Sequence, residues 1–409
     1  MLDDALEDSS RHISIDFKPA EPAEAPPPFA PYEPEFQLSS HGDIISHDHH
    51  LNEDGEALYR FLLAQALTPP TYILNIVGTH RERRTRAVTS TVNGTTTTRI
   101  ENHTVTITDF DFPIDLTSCI AHGPVFWSCP DSDPAFRGLM VRQLNSPRRK
   151  ATSQEIDIFK VEEHHRRDAG VAPWQAPDGS FRTQDQASSL TPRQWADEYA
   201  SSPKLLKEFI YEKVIYGWNS NKLSEAIASA IASTSYTGQV NSTFTLYNNK
   251  ITIRPDNRLS RTLSSTFYKV LLWLTLVFPF IWLFKRFNRH GGGKWEVMGA
   301  AYGLKHLEPL DAPQPEAYFS GPEPGQQRHP MHEPRVVETP YGPQRLTGHR
   351  EGEWFREWEP TIKRCAAMRL STSEPLTHIG QGPSNPANAL DGYAPMNLDG
   401  YHPGYLPPS

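Results

Sequence analysis

The chain has 409 residues, of which 37% are hydrophobic and 37 are proline, and its formal net charge is −8. The hydrophobic share lies below the roughly 45–50% of globular proteins, so we expect part of the chain not to fold. The negative charge gives no general case for nucleic-acid binding. Three scattered cysteines are too few for a disulfide framework or a zinc site.

The N-terminal region, residues 1–50, is predicted to be a disordered arm rich in proline and acid, as in "KPAEPAEAPPPFAPYEPEF". Its start, "MLDDALEDSSRHISIDF", lacks the apolar core of a secretion signal, which favours the cytosol. Within the arm, "HGDIISHDHH" gathers side chains that transition metals accept, namely His41, Asp43, His47, Asp48, His49 and His50. Because no spacing among them defines a tetrahedron, we interpret the stretch as turn-forming.

The predicted fold class is α+β: one cytosolic domain, residues 51–255, with a long β-hairpin and three to four helices, then a single transmembrane helix and disordered tails. Helical periodicity and capping residues favour helices at 53–67, 153–169, 192–201, 203–216 and 221–233. Runs rich in β-formers predict β-hairpins over 71–116 and 235–254.

The long hairpin has a predicted register. Asn93–Gly94 is the preferred pair for a type I′ turn, and this turn places Arg86 opposite Glu101. Between Ile107 and Phe110 the apolar residues change face, which predicts a β-bulge near Asp109.

The most apolar run is "KVLLWLTLVFPFIWLFK", from Lys269 to Lys285. Residues 264–287 as a helix would measure about 36 Å, more than the roughly 30 Å of a hydrocarbon core. The lysines can reach the headgroups, Trp273 and Trp282 suit the two interfaces, and Pro279 permits a kink. These five residues form the predicted membrane anchor.

Two membrane arrangements fit the apolar run. One is a single transmembrane span, which we prefer from the sequence. The other is a wedge at Pro279 whose two ends return to the cytosol. A buried core helix is the third alternative, but apolar residues cover every face of the run and basic residues flank both of its ends.

The C-terminal region, residues 308–409, is predicted to be a disordered proline-rich tail. One island within it, "EWFREWEPTIKRCAAMRL" from Glu353, has the aromatic content of a short docking helix. We prefer a solvated linker there.

The sequence favours a membrane-anchored, non-enzymatic protein whose partners are the lipid bilayer and, through the proline-rich tails, other proteins. The alternative is a membrane-bound enzyme with a site near the hairpin root, where Asp109, Asp111, Asp115 and His122 are the densest polar group. A third hypothesis is a soluble scaffold whose apolar run binds a partner. No catalytic motif, cofactor site or metal site is predicted, and no nucleic-acid partner.

Several stretches together resemble a family of uncharacterised membrane-anchored proteins of mushroom-forming fungi. They are "HLNEDGEALYRFLLAQALTPPTY", "DFDFPIDL", "YGWNSNKLSEAIASAI" and "FPFIWLFKRF" followed by "GGGKWEV". The likeness covers about residues 26–305. It implies a eukaryotic membrane-anchored protein and carries over no catalytic residue.

Overall fold

A computed structural model describes residues 32–92, 95–175, 188–310, 335–339 and 342–382. Within these ranges the chain is α+β, with nine α-helices and fifteen strands. The strands are β1 (Gln37–Leu38), β2 (Ile44–Ser46), β3 (Thr71–Val92), β4 (Thr95–Asp115), β5 (His122–Ser128), β6 (Phe136–Arg137), β7 (Gln143–Asn145), β8 (Arg148–Lys150), β9 (Leu206–Tyr216), β10 (Gln239–Tyr247), β11 (Lys250–Ile253), β12 (Gly292–Gly303), β13 (Lys305–Pro309), β14 (Arg335–Thr339) and β15 (Gly342–Gly348). The helices are α1 (His49–Glu53), α2 (Gly55–Ala66), α3 (Ser153–Asp168), α4 (Pro192–Ala200), α5 (Ser220–Ala232), α6 (Arg258–Ser264), α7 (Thr266–Leu274), α8 (Phe278–Phe287) and α9 (Glu351–Ala367).

The central sheet has seven strands in the order β1-β2-β11-β9-β12-β5, and β6 also pairs with β12. Strand β9 lies inside this sheet, antiparallel to β11 and parallel to β12. Its apolar side chains pack with those of α2 and α4 around the buried residues Trp195, Tyr199 and Trp295. This sheet holds both ends of the apolar run in place.

The second sheet has the order β10-β3-β4 and contains the long hairpin. Its register is the predicted one, with Arg86 opposite Glu101. The register shifts by one residue next to Gly78, so that Asp109 is the extra residue of a bulge, as the change of face indicates. Gly78 is required there, because a Cβ atom would lie 2.2 Å from the ring of Phe110. The predicted turn residues Asn93 and Gly94 lie outside the described residues.

The predicted helix at 203–216 is wrong, because residues 206–216 form strand β9. Its inward face includes Phe209, Tyr211 and also Lys213, which is fully buried and donates from Nζ to the carbonyl of Thr68 at 2.9 Å. A lysine at an inward position interrupts the alternation of apolar and polar residues by which a strand is recognised in a sequence. The remaining apolar residues then match a helical spacing by coincidence.

The predicted hairpin at 235–254 is also not formed. Strand β10 pairs with β3 in the second sheet, whereas β11 pairs with β2 and β9 in the central sheet. Between them Asn248 has a positive φ of 55°, a conformation that asparagine tolerates, and its N–H donates to the carbonyl of His41. The chain therefore passes from one sheet to the other at this point.

The predicted extent of order is too small at both ends of the domain. In the N-terminal arm, residues 34–50 contribute β1, β2 and the start of α1, while residues 1–31 lie outside the described residues. In the C-terminal tail, the preferred solvated linker is wrong, because residues 351–367 form α9. Residues 311–334 and 383–409 of the predicted tail lie outside the described residues.

Helix α9 is folded because its apolar residues share one face. The face packs against α5 and the hairpin root, and it consists of Trp354, Trp358, Thr361, Ile362, Cys365 and Ala366. Trp354 lies 5.5 Å from the ring of Trp218 and 5.8 Å from that of Trp358. The predicted architecture of three to four helices is therefore wrong.

Candidate membrane-binding surface

The apolar run forms two short helices, α7 and α8, with an angle of 102° between them. Each is roughly 14–15 Å long, half of a hydrocarbon core. In the described part of the chain no helix has by itself the length and hydropathy of a membrane span, and only this bent pair passes when taken together. The predicted single transmembrane helix over 264–287 is therefore wrong.

The bend results from how α7 ends and not from a proline kink. The N–H of Leu276 donates to the carbonyl of Trp273, and that of Val277 to the carbonyl of Leu272, each at 3.1 Å. These two bonds form a Schellman motif, in which the residue after the C-cap takes the left-handed conformation. Leu276 has φ of 55°, where glycine is usual. Pro279 is the second residue of α8 and lies in its first turn, where its missing N–H costs no helical bond.

Residues 254–291, which contain α6, α7 and α8, leave the central sheet and return to it. Both ends of this segment are hydrogen-bonded to one residue, Leu205. The carbonyl of Leu205 accepts a bond from Nδ2 of Asn257 at 2.7 Å, just before α6. Its N–H donates to the carbonyl of His290 at 3.0 Å, just after α8. The strands that flank the segment, β11 and β12, also lie beside the same residue of β9, since Ile253 and Trp295 both pair with Phe209. The flanking strands are therefore roughly 10 Å apart at one end of β9.

Polar contacts hold α6, the first helix of the segment 254–291, against the central sheet. The hydroxyl of Ser264 lies 2.8 Å from Nε2 of His47 and accepts from Nη1 of Arg254 at 3.0 Å. Arg254 also forms a salt bridge with Glu208, whose side chain is mostly buried. Because His47 and Ser264 serve this contact and Asp48 caps α1, two members of the histidine-rich stretch have structural roles.

The side chains of α7 and α8 are largely exposed. The large apolar residues at least two-fifths exposed are Phe267, Tyr268, Val270, Leu271, Trp273, Leu274, Leu276, Val277, Phe280, Trp282, Leu283 and Phe287. Leu274 is 77% exposed and Phe280 71%. Ordinary soluble proteins rarely expose a contiguous apolar patch of this extent without a binding role. We call this set the apolar wedge.

The wedge lies in a strongly basic part of the chain. Between Asp256 and Glu296 there is no acidic residue, and the basic residues are Arg258, Arg261, Lys269, Lys285, Arg286, Arg289 and Lys294. The guanidinium of Arg286 lies 5.5 Å from the ring of Trp282. Of the five predicted anchor residues, Trp273 and Trp282 are exposed, whereas Lys269, Pro279 and Lys285 are half-buried.

The acidic residues near the hairpin root do not form one site. The carboxylate of Asp109, buried in the bulge, accepts from Tyr236 at 2.8 Å and lies 2.7 Å from Nδ1 of His80. Asp111 is exposed, and Asp115 accepts from the N–H of Thr117. His122 lies elsewhere, stacked on His306 at 3.7 Å between ring centroids. The dense group predicted from the sequence is therefore dispersed.

His80 and Asp109 border an open cavity of about 830 Å³ at the hairpin root. Burial raises the pKa of Asp109, but the bonds from His80 and Tyr236 and the charge of Arg369 outweigh it, so the pKa is lowered. A histidine held by a buried carboxylate can act as a base, but it needs a nucleophile or substrate group within reach. Among the described residues no side chain bonds to Nε2 of His80. The pair therefore supports no assigned reaction.

Comparison with known proteins identifies no relative. No protein-family model matches the sequence, and no curated protein or solved structure is significantly similar to it.

Proposed function

We propose that this protein is a non-enzymatic, membrane-associated protein that inserts the apolar wedge into one leaflet of a bilayer. The observation that carries the proposal is the exposed, bent pair α7–α8, which leaves the folded domain and returns to it at Leu205. Both flanks then lie on the same side of the membrane. This is the wedge arrangement weighed from the sequence.

The attachment at Leu205 supports insertion from one side. Strands β11 and β12 are hydrogen-bonded to the same strand, β9. A helix crossing the bilayer between them would require the central sheet to lie on both sides of the membrane. A wedge requires no such separation, because its ends are only two strand spacings apart.

The chemistry of the surface supports a lipid partner. Aromatic and aliphatic side chains occur around both helices, and the stretch of chain between Asp256 and Glu296 that contains them has seven lysines and arginines and no acidic residue. Tryptophan prefers the headgroup level, and each basic residue near an anionic surface contributes about 1 kcal/mol. Burying the four most exposed of these side chains, which are 71–77% exposed, contributes roughly 4–9 kcal/mol before the entropy cost of association.

The side of the membrane on which the protein lies and its protein partners are part of the same proposal. The three cysteines are buried thiols that form no disulfide, which supports a reducing compartment, and we propose the cytosolic face. Protein partners are proposed to bind the proline-rich tails. The likeness to membrane-anchored fungal proteins agrees with this proposal and remains a prediction.

Vesicle flotation tests the proposal. The full chain is mixed with phosphatidylcholine vesicles, with and without one-fifth phosphatidylserine, and centrifuged in a density gradient. We expect the wild type to float, more strongly with phosphatidylserine and less at high salt. The double variant Leu274→Glu/Phe280→Glu should bind at least about 100-fold more weakly, because two charges would enter the hydrocarbon.

The matched control is Val161→Glu, which places the same charge at an apolar position of α3 that is 70% exposed. It should float like the wild type. Equal flotation of the double variant would contradict the proposal. The proposal would also be contradicted if the wild type did not bind vesicles but formed a dimer, and if the double variant did not form that dimer. The apolar wedge would then bind a second copy of the chain.

A further inference from the structure

His122 meets His306 and Glu308, which are far from it in the sequence, at one end of the central sheet. His122 begins β5 and pairs with Gly303 at the end of β12. His306 and Glu308 follow on β13, two residues apart and so on the same face. One ligand atom from each of the three side chains lies within 4.8 Å of the other two.

The spacing of His306 and Glu308 suits a small cation. Nε2 of His306 lies 3.1 Å from Oε1 of Glu308. Two ligands of a tetrahedral zinc ion, each about 2.0–2.1 Å from the metal, are roughly 3.4 Å apart. The three side chains are half-buried, which leaves one side of the cluster open to water. Glu308 excludes an anionic ligand by its charge.

Tyr216 orients His306. Its hydroxyl lies 3.2 Å from Nδ1 of His306, on the side of the ring away from Glu308. When Nδ1–H donates to the tyrosine oxygen, Nε2 presents a lone pair towards the carboxylate, an arrangement that a metal ion between them stabilises. Metal-ligating histidines are commonly held in this way by a partner of the second ring nitrogen.

We propose that His122, His306 and Glu308 bind a divalent first-row transition metal ion, with Zn²⁺ as the preferred ion, and that Tyr216 is a positioning residue. Two imidazoles and a carboxylate leave a fourth position for water. The inference does not depend on membrane binding. The cluster lies at the Tyr216 end of β9, roughly 33 Å from the Leu205 end that carries the wedge.

His122 is available as a ligand. In the described part of the chain its ring nitrogens make no hydrogen bond. The two rings are parallel within 5°, so their lone pairs do not converge until the ring of His122 tilts. Metal binding is therefore expected to separate the stacked rings.

Metal titration tests the proposal on the full chain, stripped of metal with a chelator. Zn²⁺ binding is measured by calorimetry and Co²⁺ binding by its visible absorption. All proteins carry His49→Ala and His50→Ala, which remove two exposed imidazoles that lie next to carboxylates and would compete for metal. We expect one tight site. His122→Ala and Glu308→Gln should weaken it at least about 100-fold, and Tyr216→Phe about 10-fold with a shifted pH profile of binding.

The matched control is His103→Ala, an exposed histidine of the long hairpin, which should leave the tight site unchanged. Unchanged Zn²⁺ affinity in both His122→Ala and Glu308→Gln would overturn the proposal, as would an equal loss in the control. X-ray absorption of the zinc-loaded protein that carries only the two background substitutions needs no ligand variant. Two imidazole ligands would support the site, and a shell without imidazole would overturn it.

Discussion

Helix α9 and the helix pair α7–α8 are both rich in tryptophan, yet they meet opposite environments. Trp354 of α9 is 1% exposed, packed against α5 and the hairpin root, whereas Trp273 of α7 is 59% exposed. In α9 the apolar residues share one face and charged residues occupy the other. In α7 and α8 apolar residues occur on all faces.

This difference shows that the distribution of apolar residues around a helix, more than their number, indicates where the helix lies. A one-sided helix can bury its whole apolar surface against its own domain. A helix that is apolar all round can do so only inside a large core or a membrane, and this domain offers no such core to α7 and α8.

The largest expected effect of this difference between α9 and the pair α7–α8 is on the membrane topology of the chain. With separate tags at Met1 and Ser409, we expect protease to digest both tags on isolated membranes while the protein resists carbonate extraction. Both flanks of the wedge are fixed to Leu205, so both lie on one side. Protection of one tag alone would show that the segment spans and that the central sheet is rearranged.

A matched pair of tryptophan substitutions tests the contrast through stability. Trp354→Ala should lower the free energy of unfolding by about 3–5 kcal/mol, because it leaves a cavity under α9. Trp273→Ala should change it by less than about 0.5 kcal/mol in buffer, because its ring is exposed. Urea unfolding without lipid measures both. A comparable loss in the two variants would mean that α7 is packed within the protein.

The Asp109 carboxylate lies 2.7 Å from Nδ1 of His80, accepts from the hydroxyl of Tyr236 and lies 3.8 Å from Nη1 of Arg369, which offers a test through pH. Its lowered pKa means that its stabilisation is present above the pKa of the unfolded chain and is lost as pH falls through the lower folded value. Asp109→Asn should therefore lower stability at pH 7 by about 1.5–3 kcal/mol, a typical contribution of bonds to a charged group. The difference should shrink below about pH 4. Tm measured against pH checks this, and a constant difference down to pH 2 would argue against it.

The smallest expected effect is the change in the free energy of unfolding when residues at the bend between α7 and α8 are substituted. Leu276→Gly should raise the free energy of unfolding by about 1 kcal/mol, because glycine adopts the left-handed conformation without strain. Thr275→Gly, one residue earlier with a negative φ, should lower it by roughly 0.5–1 kcal/mol. If both variants lose stability alike, Leu276 is not left-handed in solution and the bend differs from the one described.

Some features of the fold could be predicted because neighbouring residues determine them. The pairing of Arg86 with Glu101 follows from a two-residue turn, and the bulge at Asp109 follows from a change of face within one strand. The start of α4 follows from its cap Thr191 and from Pro192 at the first helical position. In each case the deciding contacts lie within a turn or a hairpin.

The candidate sites could be predicted only in part. The apolar run and its aromatic residues were visible, but its arrangement was not, because Leu205 binds both ends from a distant part of the chain. His122 was visible as a single residue. Its partner His306 was not, since no spacing along the chain indicates that β5 and β13 meet.

The amino-acid sequence by itself determined the hairpin, several helices and the presence of an apolar, basic segment, because these depend on the local pattern and on composition. Only the tertiary structure decided that β9 is a strand, that α9 is buried, and that the apolar segment is a bent pair returning to its own sheet. The physical reason is that each of these depends on which surface is available to cover an apolar face. That surface comes from residues brought together by the fold.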